Sequence, residues 1–135
     1  MKRTLYGILA VLGLLSVALP AFAHHSPSAE FNMDKTVQIK GVITKVDWIN
    51  PHVFIYMNVT DATGKTTAWS LQSLPTRFFH QSGLTKETLI GDGKQEVTAT
   101  VNLAKDGSNY GWVMKLTYPD GHYFTLVPET PGATK

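Results

Sequence analysis

The sequence predicts an all-β fold with one short helix, organised as a small OB-like Greek-key β-barrel. Apolar and polar residues alternate in several short stretches, which is typical of half-buried strands. Turns rich in Gly, Asp, Asn and Pro separate these stretches. A single helical segment follows the third strand, as in barrels of the OB type. A β-sandwich is the alternative, because it shows the same alternation and turn spacing.

The first 23 residues are predicted to be a secretory signal peptide. Lys2 and Arg3 form a basic start, Leu5 to Leu19 is almost wholly apolar, and Ala21-Phe22-Ala23 places small residues where a signal peptidase reads them. The apolar run is short for a membrane-spanning helix, which needs about 20 residues. We therefore expect cleavage after Ala23, a periplasmic or secreted protein, and no stable membrane insertion. An uncleaved membrane anchor is the alternative.

The mature chain is long enough for one domain and has no net formal charge. Removing 23 of 135 residues leaves 112, and 10 basic residues then balance 10 acidic ones because Lys2 and Arg3 are lost. This balance argues against a nucleic-acid partner. The chain has no cysteine, which excludes disulfides, thiolate metal sites and a cysteine nucleophile. Any bound metal must be held by nitrogen and oxygen.

The first strand is predicted from Thr36 to Trp48, after a short polar N-terminal arm over residues 24–35. Its apolar residues change from odd to even positions at Gly41. Such a change of phase at a glycine predicts a β-bulge that bends the strand. Asn50-Pro51 then marks a turn.

The next two strands are predicted to form a hairpin. The second strand runs from His52 to Val59 and the third from Thr66 to Gln72, with the turn at Asp61–Gly64 between them. A helix is predicted next, over Pro75–Ser82, and it ends at Gly83. Three further strands are predicted: one over Val97–Leu103, one with Trp112, Met114, Leu116 and Tyr118 on one face, and one over His122–Val127. The turns before these strands are predicted at Leu89–Gly93, Lys105–Ser108 and Pro119–Gly121. The barrel domain is thus predicted over residues 36–127 and a flexible tail over 128–135.

The strongest candidate for chemistry is the new N-terminus. Cleavage of the signal peptide makes His24 the first residue, followed by His25. A terminal histidine offers its α-amino nitrogen and its ring nitrogen to one metal, and nitrogen ligands suit copper or zinc. His52 is the expected further ligand, with His80 and His122 in reserve. A frayed, solvated chain end is the alternative interpretation.

A second candidate is an aromatic β-face. Phe54 and Tyr56 share a strand face with His52, Trp69 is near in strand order, and Asn50-Pro51 is expected to fix the direction of His52. In OB-type barrels the second and third strands often bind ligands, so this face could take an organic ligand or a protein partner. The alternative is that these rings only fill the barrel.

No motif indicates an enzyme. No serine lies in a nucleophile elbow, no phosphate-binding loop is present, and Asp47 and His52 have no nucleophile paired with them in a recognisable pattern. The sequence therefore favours a non-enzymatic binding module.

Several of these motifs together resemble a family of small exported bacterial proteins of unknown function. They occur in the order His24-His25-Ser26, Gly41-Val42, Trp48-x-Asn50-Pro51-His52, the Trp69 strand with Ser73-x-Pro75, Gly91-Asp92 before Val97, and Lys105-Asp106-Gly107-Ser108. The resemblance covers essentially the whole mature chain and implies export and a small β-barrel. It supplies no activity, substrate or cofactor, but it favours a shared site at His24, His25, Asn50 and His52.

The chain departs from this family pattern at two positions. The family's third strand usually carries an acidic residue where this chain has Gln72, and an aromatic residue usually stands where this chain has Leu84. If the carboxylate is a ligand or a base in the relatives, Gln72 does not supply its charge.

Overall fold

A computed structural model describes residues 26–127, and a β-barrel accounts for most of them. The elements are α1 (Pro27–Glu30), β1 (Phe31–Asp47), β2 (Phe54–Thr60), β3 (Thr66–Gln72), α2 (Thr76–Ser82), α3 (Lys86–Ile90), β4 (Glu96–Ala104), β5 (Tyr110–Thr117) and β6 (Tyr123–Thr125). The predicted signal peptide, His24, His25 and the predicted tail lie outside the described residues. Within residues 26–127, no helix has the length and apolar character needed to cross a bilayer.

The sheet closes on itself to form a five-stranded barrel in the order β3–β2–β1–β4–β5. The closing strands β3 and β5 run parallel and pair at Ser70–Tyr110, Leu71–Gly111 and Gln72–Trp112. The other pairings of the described strands are antiparallel, and they include the pairing of β6 with β5. With α2 directly after β3, this arrangement confirms the predicted OB-like barrel and not the sandwich.

The first strand differs from the prediction in its start and in the place of its bulge. β1 begins at Phe31, five residues before Thr36. The register against β2 shifts between Ile43 and Lys45, so the bulged residue is Thr44 and not Gly41. Gly41 has a different role: a Cβ there would lie 2.3 Å from the backbone oxygen of Asn58. Glycine at this position lets β2 approach β1 closely.

A second bulge changes which side chains of β5 face the core. The register against β4 shifts so that Val101 pairs with Val113 while Thr100 pairs with Lys115, which leaves Met114 as the extra residue. Val113 and Leu116 therefore both point into the barrel core. Trp112 belongs to a separate cluster outside the barrel wall. The prediction of one face shared by Trp112, Met114, Leu116 and Tyr118 was wrong for this reason.

The helix predicted after β3 is confirmed, but the sequence did not predict the second helix that follows it. α2 ends at Gly83, whose φ of 72° is in the left-handed region that glycine adopts readily. Leu89 and Ile90 belong to α3 and not to a turn, because Thr85 caps this helix and exchanges hydrogen bonds with Thr88. Leu89 is buried in the main core, so α3 contributes to packing at the end of the barrel.

Two groups of buried side chains hold the structure together. The main core fills the barrel and includes Ile43, Val46, Val53, Ile55, Met57, Leu71, Phe79, Val97, Ala99, Val101, Val113 and Leu116. The smaller outer cluster consists of Phe31, Ala104 and Trp112, with Leu74, Tyr110 and Met114 packed against it. Asn102 is a buried polar residue, only 1% exposed, because the start of β1 covers it.

The close approach at Gly41 gives a test of the fold. We expect Gly41→Ala to lower the free energy of unfolding by about 1–3 kcal/mol, because the added Cβ forces the backbone of β2 away. Gln38→Ala, on the exposed part of the same strand, is the control and should stay within about 0.5 kcal/mol of the parent. Urea unfolding followed by tryptophan fluorescence measures both. Equal stability of the two variants would contradict the close approach.

Candidate functional site

The segment before β2 carries His52 and is held firmly to the segment after β3. The backbone N–H of Val53 donates to the oxygen of Leu74 at 3.1 Å, and the N–H of Ser73 donates to the oxygen of Val53 at 2.9 Å. The exposed Asn50 accepts at its side-chain oxygen from the Thr76 hydroxyl at 3.0 Å. Asn50 thus fastens the turn to the start of α2, which is a structural role beside the predicted binding role.

The His52 ring is oriented by a backbone carbonyl. Its Nδ1 lies 3.0 Å from the oxygen of Ser73. A carbonyl oxygen only accepts, so Nδ1 carries the hydrogen and the neutral ring keeps its lone pair on Nε2. Among residues 26–127, no hydrogen bond engages Nε2. Histidines that bind metals commonly have this arrangement, in which the other ring nitrogen donates to a carbonyl or carboxylate. His52 itself is half-buried.

The predicted aromatic face contains Phe54 and Tyr56 but not Trp69. Phe54 pairs with Gln72 and Tyr56 with Ser70, and all four lie on the outer side of the barrel. Trp69 pairs with Met57, which is a core residue, and it packs against the main core. Directly paired residues share a face, so Trp69 lies on the opposite side from Phe54 and Tyr56. The prediction that Trp69 shares a face with Phe54 and Tyr56 was therefore wrong.

Three aromatic residues that were not predicted as part of the site form a cluster, one member of which contacts His52. The Trp112 ring meets the His52 ring edge-on with 6.1 Å between centroids. Phe31 packs on the same tryptophan at 5.9 Å and on Tyr110 at 5.1 Å. Phe31 is fully buried and Trp112 is 5% exposed. Trp112 therefore links His52 to the first residue of β1.

The chain before β1 and the first residues of β1 are hydrogen-bonded to the outside of the barrel, close to this cluster. The Lys105 N–H donates to the backbone oxygen of Glu30 at 3.0 Å, and the Lys105 ammonium donates to that of Ser28 at 2.7 Å. Asn102 donates from its side-chain nitrogen to the backbone oxygens of Asn32 and Lys35 at 3.1 and 3.0 Å. We call residues 26–35 the docked arm. The histidines that precede it, His24 and His25, lie outside the described residues.

Polar side chains continue the outer face beyond the aromatic rings. The Tyr110 hydroxyl donates to the side-chain oxygen of Gln72. Burial raises the pKa of Tyr110 to about 12, and the Glu30 carboxylate adds to the increase. Gln72 thus accepts from a phenol that stays neutral at ordinary pH.

The other titratable groups of the predicted site have partners of their own. The Lys45 ammonium, 2.8 Å from Asp47, lowers the pKa of that carboxyl. Burial raises the pKa of Tyr56, and its hydrogen bond with Asp47 adds to the increase. Among the described residues, no hydrogen bond or ion pair joins Asp47 to His52, so the geometry does not form a catalytic pair from them.

The predicted reserve ligands, His80 and His122, contact other residues. His80 meets the Trp48 ring edge-on at 5.9 Å and lines a cavity of about 320 Å³ with it. His122 pairs with the Asp120 carboxylate and stacks on Tyr118 at 4.3 Å. Over residues 26–127, no three His, Asp or Glu side chains are grouped so that they could hold a metal.

The comparison with protein families gives one match. The model described as "Family of unknown function (DUF6152)" matches residues 11–114. The chain belongs to this family. The DUF6152 match confirms the family resemblance and spans His52, the docked arm and Trp112. No match was found among curated proteins or among solved structures.

The orientation of His52 can be tested by NMR on the protein without added metal. We expect long-range ¹H–¹⁵N spectra at pH 8 to show Nδ1 as the protonated nitrogen of His52, because this nitrogen donates to Ser73. The exposed His80 is the internal control and should show the mixed tautomers of a solvated ring. A His52 spectrum with the hydrogen on Nε2 would contradict the assigned hydrogen bond.

Proposed function

We propose that this DUF6152 protein is an exported, non-enzymatic binding module that holds copper or zinc through His52 and the mature N-terminal histidines. The observation that carries the proposal is the His52 ring itself: Nδ1 is used by the Ser73 oxygen, Nε2 keeps a lone pair, and the ring lies against Trp112, on which Phe31 also packs. Export by the predicted signal peptide is part of the proposal, since cleavage after Ala23 creates the free amine of His24.

The ligand set explains the choice of metal. His24 contributes its α-amine and its ring, His52 contributes Nε2, and His25 is available as a further ring nitrogen. Such a nitrogen-only set suits Cu(II) first and Zn(II) second by the usual affinity order. The chain has no cysteine that would favour a softer metal.

The length of the arm permits the terminus to reach His52. Two residues, His25 and Ser26, lie between His24 and Pro27, and one helical turn leads from Pro27 to Phe31. Extended backbone and helical rise together let His24 lie up to roughly 16 Å from Phe31. Phe31 and His52 contact the same Trp112 ring, at centroid distances of 5.9 and 6.1 Å. The distance between the Phe31 and His52 centroids therefore cannot exceed the sum of these two distances.

A ligand site for organic molecules or a protein partner on the outer face is the second candidate. Its support is the row of half-buried rings at Phe54, Tyr56 and Tyr110, together with the side chain of Gln72. Trp69 is not part of this surface, because it packs on the core side. This candidate is weaker, since Tyr56, Tyr110 and Gln72 already have partners within the fold.

Calorimetric titration of the mature protein with Cu(II) tests the proposal. We expect one equivalent to bind with a Kd below about 1 µM, which corresponds to more than about 8 kcal/mol of binding free energy. The matched control is the same protein with the α-amine of His24 acetylated, which takes this nitrogen out of the chelate and should weaken binding at least about tenfold. Absence of binding at micromolar concentrations would reject the proposal, and equal affinity of the two proteins would remove the amine from it.

Substitution of His52 separates a shared site from a purely N-terminal one. We expect His52→Ala to weaken Cu(II) binding about tenfold or more while leaving the fold intact, because the ring is half-buried and outside the main core. His122→Ala is the matched control and should leave the affinity unchanged, since its ring pairs with Asp120. Unchanged affinity of His52→Ala in the same titration would restrict the site to the chain terminus.

A further inference from the structure

We propose that the outer surface of β4, β5 and β6 is a binding site for an uncharged, β-linked oligosaccharide. This surface shares no residue with the proposed metal site, nor with the aromatic face at Phe54 and Tyr56. It is therefore a second site, and its existence does not depend on whether the protein binds a metal.

Four threonines share the outer surface of these three strands: Thr98, Thr100, Thr117 and Thr125. We call them the threonine face. The strand registers bring them together, because Thr98 pairs with Thr117 while Lys115 pairs with both Thr100 and Thr125. Directly paired residues lie on the same side of a sheet. Ala99 and Leu116, the alternate residues of β4 and β5, belong to the main core, so the threonines point outward.

The hydroxyl groups of the threonine face are free to bind a ligand. Among residues 26–127, none of the four makes a hydrogen bond to another residue, whereas the hydroxyls of Thr60, Thr66 and Thr76 each make one. A threonine hydroxyl donates one hydrogen bond and can accept two. A sugar hydroxyl has the same capacity, so the two kinds of group complement each other without any charge.

A cavity of about 290 Å³ opens on this face, beside an ion pair. The residues that line it are Lys40, Glu96, Thr98, Thr117, Tyr118 and Pro119. The Lys40 ammonium lies 2.9 Å from the Glu96 carboxylate, and both side chains are more than half exposed. The pair offers a hydrogen-bond donor and an acceptor next to each other, yet its two charges cancel. An uncharged ligand with many hydroxyls suits this lining better than a phosphate or a carboxylate does.

Tyr123 supplies an aromatic surface next to the cavity. It pairs with Thr117 and is 58% exposed, more than any other large apolar side chain among the described residues. The Lys115 ammonium lies 4.2 Å from the centre of the ring and holds it from one side. The C–H-rich face of a sugar can stack on such a ring, which buries apolar area and leaves the sugar hydroxyls free to bind the threonines.

The shape of the surface suits an extended ligand. Lys40 pairs with Thr98, Thr98 with Thr117 and Thr117 with Tyr123, so these four side chains form one row across four strands. With strands about 4.8 Å apart, the row is roughly 14 Å long. The centre of a protein interface is apolar, whereas this row carries a single exposed ring at one end. A β-linked glycan is flat and extended and can lie along the row, whereas an α-1,4-linked glycan coils.

The test titrates the chain that begins at His24 with hexasaccharides of defined linkage, followed by ¹H–¹⁵N NMR. Cellohexaose and chitohexaose are β-1,4-linked, and maltohexaose is the α-1,4-linked comparison. We expect at least one of the β-linked sugars to bind with a Kd below about 1 mM. The amide signals of Thr98, Thr117 and Tyr123 should shift, and those of Phe54 and Tyr56 should not. Maltohexaose should bind at least about tenfold more weakly.

Substitution of Tyr123 tests the stacking surface. We expect Tyr123→Ala to weaken binding about tenfold, because the stacked area is lost, and Tyr123→Phe to retain it, because the ring remains. The side chain is exposed, so neither variant should disturb the core. Ile49→Ala removes the other strongly exposed apolar side chain, which is 52% exposed, and is the matched control with unchanged affinity.

Substitution of Thr98 tests the hydroxyl groups. Thr98→Val keeps a β-branched side chain of similar shape and removes only the hydroxyl, so we expect binding to weaken about threefold to tenfold. Thr66→Val is the matched control, since Thr66 is an exposed strand residue whose hydroxyl already bonds to Thr60. Its affinity for the sugar should equal that of the parent.

Three results would each overturn the proposed site: no binding of any hexasaccharide at millimolar concentration, equal affinity for maltohexaose, or signal shifts centred on Phe54 and Tyr56. A β-linked sugar whose affinity is unchanged by Tyr123→Ala or by Thr98→Val would overturn it as well. None of these results bears on the metal, because His52 is not part of the threonine face.

Discussion

The pairing of β3 with β5 closes the barrel and decides which side chains meet on its outer surface. This pairing places Gln72 opposite Trp112. The Trp112 ring therefore lies against His52, just before β2. In an open sheet of the same strand order, β3 and β5 would lie at opposite edges. Only three residue pairs make this closure. The packing of Phe31 on Trp112 and Tyr110 supports it from outside, so the docked arm and the barrel stabilise each other.

The sequence predicted those parts of the fold whose signals are local. Strand β3 and helix α2 were located closely, because alternation of apolar residues, a turn after Thr60 and the stop at Gly83 all lie within a few residues of each element. The bulges at Thr44 and Met114 were not located, since a bulge depends on the partner strand as much as on the bulged one. Each bulge inverts the inward and outward faces beyond it.

The same distinction applies to the candidate site. His52, Phe54 and Tyr56 were predicted on one face because they alternate along the chain. The structure places Phe54 and Tyr56 on the outer side of the barrel, and His52, which precedes β2, contacts Trp112. Phe31 and Trp112 were not predicted as part of the site, because the pairing of β1 and β5 with β4 brings them together from distant parts of the chain. The one signal available was the presence of large aromatic residues at both positions. The role of His24 and His25 stays a prediction, since they lie outside the described residues.

The central claim is that one metal ion is shared between the chain terminus and His52, and NMR of the mature protein with one equivalent of Cu(II) tests it most directly. The paramagnetic ion broadens signals of nuclei near it. The account predicts simultaneous broadening at Ser26–Glu30, His52 and Trp112, with the hairpin turn at Asp61–Gly64 unaffected. Broadening confined to the chain terminus, with the His52 ring signals still sharp, would contradict it.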